Sequence, residues 1–281
     1  MSKLLRVNFR HLFRMKSFYF AIAIMIYCPI MSCISDYMEM TEYGYVHSIE
    51  ESIWQFGVLY AFIVPVLVHL FIGPDYVDKT IRNKLIIGYG KKDIFMANMI
   101  TMMVACLILF FVWNIFFWAI GSNMLVVESP IGMHIVITLE ELLAVLFLTA
   151  LLVLLAMFMS GKVTAGVLSM ILALCIIASG LIIKRDLAEE EFEDSNVVWA
   201  VFEEGAAPVQ KSEKVPNPRY IPEGPRKEAL RYLERVDVGA QLLDVTDNHE
   251  IDCIWYFAFD SIMILLICAG GSAMYKRKDI F

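Results

Sequence analysis

The stretch IFMANMITMMVACLILFFVWNIFFWAI, Ile94–Ile120, contains no Asp, Glu, Lys or Arg. A hydrocarbon core ~30 Å thick is crossed by about 20 helical residues, so this run is long enough to span it. Lipid cannot satisfy an open backbone, which makes a helix the expected form. Five further stretches read the same way: Ser17–Ser35, Phe56–Gly73, Leu142–Ser160, Val163–Ile183 and Cys253–Tyr275. The composition agrees. Of 281 residues, 59% are hydrophobic and 19% charged, against about 45–50% and about 25% in ordinary soluble domains. A soluble enzyme, a disordered chain and a secreted disulfide scaffold are thereby excluded. The expected fold is an all-α membrane protein. It has six transmembrane helices, an N-terminal amphipathic interfacial helix and one extracellular insert between helices five and six.

The net charge of −7 is unevenly spread. Lys184–Asp252 holds 9 Lys and Arg against 17 Asp and Glu, and the rest of the chain is close to neutral. No basic surface interleaved with aromatics points to nucleic acid. The six cysteines (Cys28, Cys33, Cys106, Cys175, Cys253, Cys268) lie in or beside apolar runs, with no CxxC pair and no metal-ligand spacing. They read as small apolar residues, with a Cys33–Cys253 bridge near one membrane face left open.

Residues 1–16 form a first unit. Basic residues precede an apolar run, but no small-residue cleavage site follows, so this is not read as a signal peptide. Lys3, Arg6, Arg10 and Arg14 fall on one helical face, and Leu5, Phe9, Leu12 and Phe13 on another. Such a helix lies in the headgroup layer with its cations toward water. Residues 17–183 carry five spans, 184–252 the insert, and 253–281 the sixth span and a basic tail. Lys and Arg set the orientation. The N-terminal segment, the loop after span two, Lys162 and the C-terminal tail together hold 14, and the loops Asp36–Gln55 and Gly121–Glu141 hold none. Both termini are therefore expected in the cytoplasm of a multi-pass protein of the plasma membrane. Within the insert an acidic run (Glu189, Glu190, Glu191, Glu193, Asp194) precedes a proline-rich stretch. A helix then opens at Pro225, carries the stripe Ala229, Leu230, Leu233 and Val236, and stops at Gly239.

Several catalytic motifs fail on their spacing. A phosphate-binding loop needs GxxxxGK[ST]. Gly161-Lys162 is followed by Val163 with Ala156 in the first glycine's place, and Gly90-Lys91 has Leu85 there. The zinc-protease pattern HExxH breaks at His249-Glu250, where Cys253 replaces the second histidine. Glu140-Glu141 is reminiscent of the paired glutamates of prenyl-protein endopeptidases, but Val145 stands where that family has arginine. The pair reads instead as a polar start to span four at the outer interface. Asp260 lies about two turns into span six. An acid there is costly and faces a partner or water, which makes it a candidate substrate-pathway residue, or else a helix–helix hydrogen-bonding residue or one reaching the headgroups. His69 reads as interfacial. No chain of acids runs through the spans, which weakens an ion-coupled carrier.

The most informative segment joins spans two and three. Val77, Ile81, Leu85 and Ile86 recur at helical spacing, with Lys79, Arg82, Asn83 and Lys84 on polar faces. Gly88 and Gly90 break this helix and Asp93 caps the next. A short amphipathic rod, Asp78–Ile87 within about residues 76–88, thus crosses the cytoplasmic mouth and suits a groove on a soluble partner. The sequence KTIRNKLIIGYGKKDIFMANMI, Lys79–Ile100, resembles the first cytoplasmic loop of type-2 permeases of ATP-binding-cassette (ABC) exporters. Thr80, Ile81, Arg82, Asn83, Lys84, Leu85, Gly88 and Lys92 match that pattern, and Tyr89 departs from its usual small residue. The ends FRHLFRMKSFYF and YKRKDIF, the six-span layout and NPRYIPEGPRK (Asn217–Lys227) are similar too.

The resemblance implies a permease subunit with no nucleotide site and no cofactor of its own. Two permease subunits, identical or paralogous, would form the pore in the bilayer. Two ABC ATPase subunits carrying ATP and magnesium would dock beneath on Lys79, Thr80, Ile81, Arg82, Asn83, Lys84, Leu85 and Gly88. Few charges in the spans suit an amphipathic cargo such as a peptide, antibiotic or lipid. An ion-coupled carrier or a membrane sensor with an outer receptor domain is the alternative. The charge count makes one prediction directly. An epitope inserted in the Asp36–Gln55 loop is reached by antibody on intact cells, and one inserted at Gly90 only after permeabilisation; the reverse pattern would invert the topology.

Overall fold

A computed structural model describes residues 1–49, 56–78, 80–127, 130–159, 162–194, 199–201, 209–211, 214–243 and 253–278. In chain order its helices are α1 Ser2–Leu12, α2 Lys16–Tyr43, α3 Phe56–Val77, α4 Thr80–Ile86, α5 Lys91–Met124, α6 Ile131–Phe158, α7 Lys162–Ala188, α8 Pro225–Val236, α9 Val238–Leu243 and α10 Cys253–Arg277. Six of them, α2, α3, α5, α6, α7 and α10, are long and apolar enough to cross a membrane. The chain is a multi-pass membrane protein. One end of the bundle carries both chain ends and α4 and is called the near end here; the far end carries the insert.

α5 and α6 form the middle of the bundle. Ala105, Cys106, Leu109 and Phe110 of α5 and Val145, Leu148, Leu152 and Val153 of α6 are all buried. α2, α7 and α10 keep large apolar side chains exposed, among them Phe20, Ile171 and Leu265. That is the expected surface of spans facing hydrocarbon, where exposed apolar groups cost nothing. α2 runs through a buried Pro29 and ends on Gly44, whose φ of 73° gives the left-handed cap that glycine takes without strain. Beyond it, the Ile49 N–H donates to the Val126 carbonyl at 2.8 Å, which ties the loop after α2 to the loop after α5 at the far end.

Four differences from the sequence expectations have physical causes. The chain is not purely helical. The insert contains β1 Phe192–Asp194, β2 Trp199–Val201, β3 Val209–Lys211 and β4 Lys214–Pro216. β1 pairs antiparallel with β4 and β2 with β3, so the second pair is nested inside the first and the proline-rich stretch mostly follows β4. Second, α6 begins at Ile131 rather than Leu142, so Glu140 and Glu141 lie well inside a helix. An apolar-run search treats a glutamate pair as a boundary, but the backbone does not. Third, Gly90 precedes α5 and Asp93 sits in its first turn rather than capping it. Fourth, the Pro225–Val236 helix forms as expected, but its stripe is not buried: Leu233 and Val236 are exposed. That helix is held instead by Glu223, which accepts from Arg231 Nη2 at 2.9 Å and pairs with Lys227 at 3.1 Å. These two cations, Lys227 first, draw the Glu223 carboxyl below the usual carboxylate range.

Gly239 does not end that helix. It lies in α9, a short buried helix that packs back onto the span ends. A Cβ on Gly239 would stand 1.8 Å from the Ile176 carbonyl oxygen, and one on Gly180 would stand 2.3 Å from the Ala240 nitrogen. Two backbones meet here at a distance only glycine permits. Asp237 fixes the entry, with Oδ1 accepting from the Ala240 N–H at 2.9 Å and Oδ2 accepting from Ser179 Oγ at 2.7 Å. Lys184 Nζ closes the other end on the Leu243 carbonyl at 3.0 Å. The insert is therefore seated in the bundle rather than tethered above it. Gly180→Ala is expected to destabilise the protein by about 1–3 kcal/mol, the usual cost of overpacking. Gly270→Ala, with nothing within 4 Å of its Cβ, should be neutral; thermal unfolding in detergent reads both.

Candidate functional site

α4 is a seven-residue helix lying across the near end. Ile81 is buried and Leu85 packs on the core, so its inward edge is apolar. Arg82 and Asn83 are exposed, and Thr80 is half-buried. Lys84 reaches back to Asp75 of α3 at 2.6 Å, and both side chains are largely shielded from solvent. A shielded pair resists removal of one partner because the other charge is left uncompensated. The helix closes with the Tyr89 N–H on the Lys84 carbonyl at 3.1 Å and the Gly88 N–H on the Leu85 carbonyl at 3.0 Å. This is a Schellman cap, and the φ of 101° at Gly88 is why glycine stands there. Lys79 lies outside the described residues. The expected Val77–Ile81–Leu85–Ile86 stripe divides: Ile81 and Leu85 face in, whereas Ile86 and Ile87 are 71% and 75% exposed. Two adjacent isoleucines in that state, beside Arg82 and Asn83, make an apolar spot with a polar border.

Below α4 a polar knot joins four spans, and no local sequence signal marks it. Tyr76 of α3 donates to the Met157 carbonyl at the end of α6, and its hydroxyl lies 3.0 Å from that of Tyr275 on α10. Lys278 Nζ donates to the same carbonyl at 3.0 Å and sits over the Tyr76 ring at 4.8 Å. Partial burial there holds the Lys278 ammonium below its usual lysine value. Lys91 at the start of α5 donates to the Lys278 carbonyl at 2.5 Å. The last carbonyls of a helix have no partner within it, so Met157 collects donors from two neighbours. α4 is thus joined to α3 through Asp75, and one residue on α3 is joined to α6 and α10 through Tyr76.

α1 joins the same end. Leu4, Asn8 and Leu12 are buried, a face rotated from the expected Leu5–Phe9–Leu12–Phe13 one, and Phe13 is exposed. Asn8 causes the rotation: its Nδ2 donates to Asn98 Oδ1 of α5 at 2.7 Å, and Asn98 Nδ2 faces Met157 Sδ at 3.3 Å. His69, read as interfacial, is half-buried in a notch left by Gly73 and Gly166.

At the far end Asp260 is 1% exposed. It lies against the Gln241 side chain of α9 and within electrostatic reach of Glu140. Its side chain is buried beside Gln241 rather than exposed at the surface. Cys33 is a buried free thiol, so it forms no bridge, and the Cys253 side chain lies outside the described residues. An apolar groove of 250 Å³ runs between α2 and α3 past Phe20, Ile24, Phe62 and Val66. A polar one of 360 Å³ lies at the root of the insert between Arg185, Glu189, Lys214 and Asn217.

No model of a known protein family matches the chain, and no curated protein matches it. The Asn8–Asn98 bond yields a stability test. Asn98→Leu orphans the buried Asn8 amide and should cost about 1–3 kcal/mol. Adding Asn8→Leu should recover part of the loss, a coupling that a double-mutant cycle on thermal unfolding measures.

Proposed function

We propose that the chain is the permease subunit of an ABC exporter, moving an amphipathic cargo across the plasma membrane. A separate ATPase subunit, holding ATP and magnesium, supplies the power through α4; this chain hydrolyses nothing itself. The observation that carries the reading is the construction of α4. It is a short rod with an exposed Ile86–Ile87 spot, locked to α3 through Lys84 and Asp75. Tyr76, the neighbour of Asp75, bonds α6 and α10. A lever needs a free face and a stiff root, and α4 combines them. The match of Thr80–Leu85 and Gly88 to the type-2 permease loop supports the same reading.

In this scheme both termini and α4 lie in the cytoplasm. The α1 cations Lys3, Arg6 and Arg10 face anionic headgroups, each worth about 1 kcal/mol. The insert is extracellular, and two permease subunits enclose the path. ATPase closure would push α4 and tilt α3 against α6 and α10. The α2–α3 groove, apolar and open to the side, offers room for an acyl or aromatic portion of the cargo. Asp260 under α9 would meet the path only when α9 lifts.

A second reading, an ion-coupled carrier, is favoured by one observation: Glu141 is 7% exposed inside a span, with one carboxyl oxygen lacking a hydrogen-bond partner. The two readings part on the partner. Ile86→Asp and Arg82→Glu should each abolish co-purification of an ATPase subunit and cut transport-linked ATP hydrolysis at least tenfold, the equivalent of about 1.4 kcal/mol of lost contact. Intact co-purification and hydrolysis in both variants would refute the lever.

A further inference from the structure

The polar hollow at the root of the insert lies where α7 leaves the bundle. Its walls are Arg185 on the last turn of α7, Glu189 and Glu190 just beyond it, Phe192 of β1, Lys214 of β4, and Asn217. Phe192 pairs opposite Pro216, and strand residues two apart share a face, so Phe192 and Lys214 stand on one side of the ribbon. Asn217 is buried and pins the wall. Its Nδ2 donates to Glu189 Oε2 at 2.7 Å and to the Glu190 carbonyl at 3.1 Å, and its Oδ1 accepts from the Arg219 N–H at 2.9 Å.

The hollow carries both signs of charge without closing them on each other. Arg185 gives Nε and Nη2 to Asp186 Oδ1 at 3.2 and 2.7 Å. A guanidinium has five N–H donors, so others remain. Among the described residues Lys214 and Glu190 form no ion pair. The volume, 360 Å³, falls in the range of small-molecule sites, about 300–1,000 Å³. A purely anionic ligand would meet the carboxylates there, and a purely cationic one would meet Arg185 and Lys214. A ligand with both signs answers both. A ring beside carboxylates also suits an ammonium.

The surface leading to the hollow is apolar. Ile171, Leu174, Ala178 and Leu181 are exposed at helical spacing, and the same face continues into Arg185 and Ala188. At 1.5 Å per residue, Ile171 to Leu181 covers about 15 Å. That is half of a ~30 Å hydrocarbon core. Arg185 stands about 6 Å further along the axis, at headgroup depth.

We propose that this hollow binds the headgroup of a zwitterionic phospholipid with a primary amine, a phosphoethanolamine, whose acyl chains lie along α7. Arg185 and Lys214 donate to the phosphate, and Glu189 and Glu190 accept from the ammonium. The site uses α7 and the insert and no part of α4, so its failure leaves the ATPase lever untouched.

The test uses the full chain in nanodiscs of equimolar phosphatidylethanolamine and phosphatidylglycerol. A photo-crosslinking amino acid replaces Leu181, or Leu265 on α10 as a control; both are exposed. Mass spectrometry should find ethanolamine-lipid adducts favoured at least tenfold at Leu181, the equivalent of about 1.4 kcal/mol, and no preference at Leu265. Lys214→Glu and Glu190→Lys, both at exposed side chains, should each abolish the preference. Soluble glycerophosphoethanolamine, which lacks the chains, should leave the adducts in place. Equal adducts at Leu181, a preference untouched by both substitutions, displacement by the soluble headgroup, or a protein adduct at Leu181 would each overturn the lipid site.

Discussion

Hydrocarbon supplies no hydrogen bonds, and the architecture answers to that constraint. It makes the six spans helical and lets α2, α7 and α10 leave leucine, isoleucine and phenylalanine on their outer faces. It also dictates where polar groups gather. Met157 ends α6 with a carbonyl that has no partner in its own helix, and Tyr76 and Lys278 both donate to it. The Asn8–Asn98 pair performs the same service between α1 and α5. These two contacts each join separate elements, whereas Thr101, Asn114 and Thr149 bond carbonyls of their own helices.

Contacts that join separate elements hold the near end together. α4 is too short to be stable alone, since isolated helices below about 12–15 residues are marginal in water. It persists because Ile81 and Leu85 are anchored, Lys84 is paired and Gly88 closes the final turn. The same anchoring leaves Ile86 and Ile87 outside. This apolar pair is the proposed contact surface, held out from an anchored base, whereas the exposed leucines of α7 and α10 lie along the spans. The far end is built differently. There Gly180 and Gly239 bring two backbones together, and Asp237 and Lys184 set the seat of α9, whose Gln241 meets Asp260.

Much of this was legible in the residues. Charge-free runs such as Ile94–Ile120 mark their spans by length alone, and Pro225 marks the start of α8. The α4 segment was legible as a rod from its spacing, although Ile86 proved to face outward. What escaped were relations between distant residues. Nothing local in Tyr76 points to Met157, and Asn8 was invisible among the arginines of α1. Glu140-Glu141 was misread as a boundary because hydropathy treats a charge as an end, while a helix continues past it if the side chains find cover. Gly239 was read as a stop when it is a contact, since glycine serves both purposes and sequence does not distinguish them.

The account turns on whether α4 meets another polypeptide. Placing a photo-crosslinking amino acid at Ile87 in the native membrane and identifying the adduct by mass spectrometry tests this directly. The account predicts a single protein adduct, a subunit carrying a phosphate-binding loop. Lipid adducts alone, or an adduct to a protein without a nucleotide site, would contradict it.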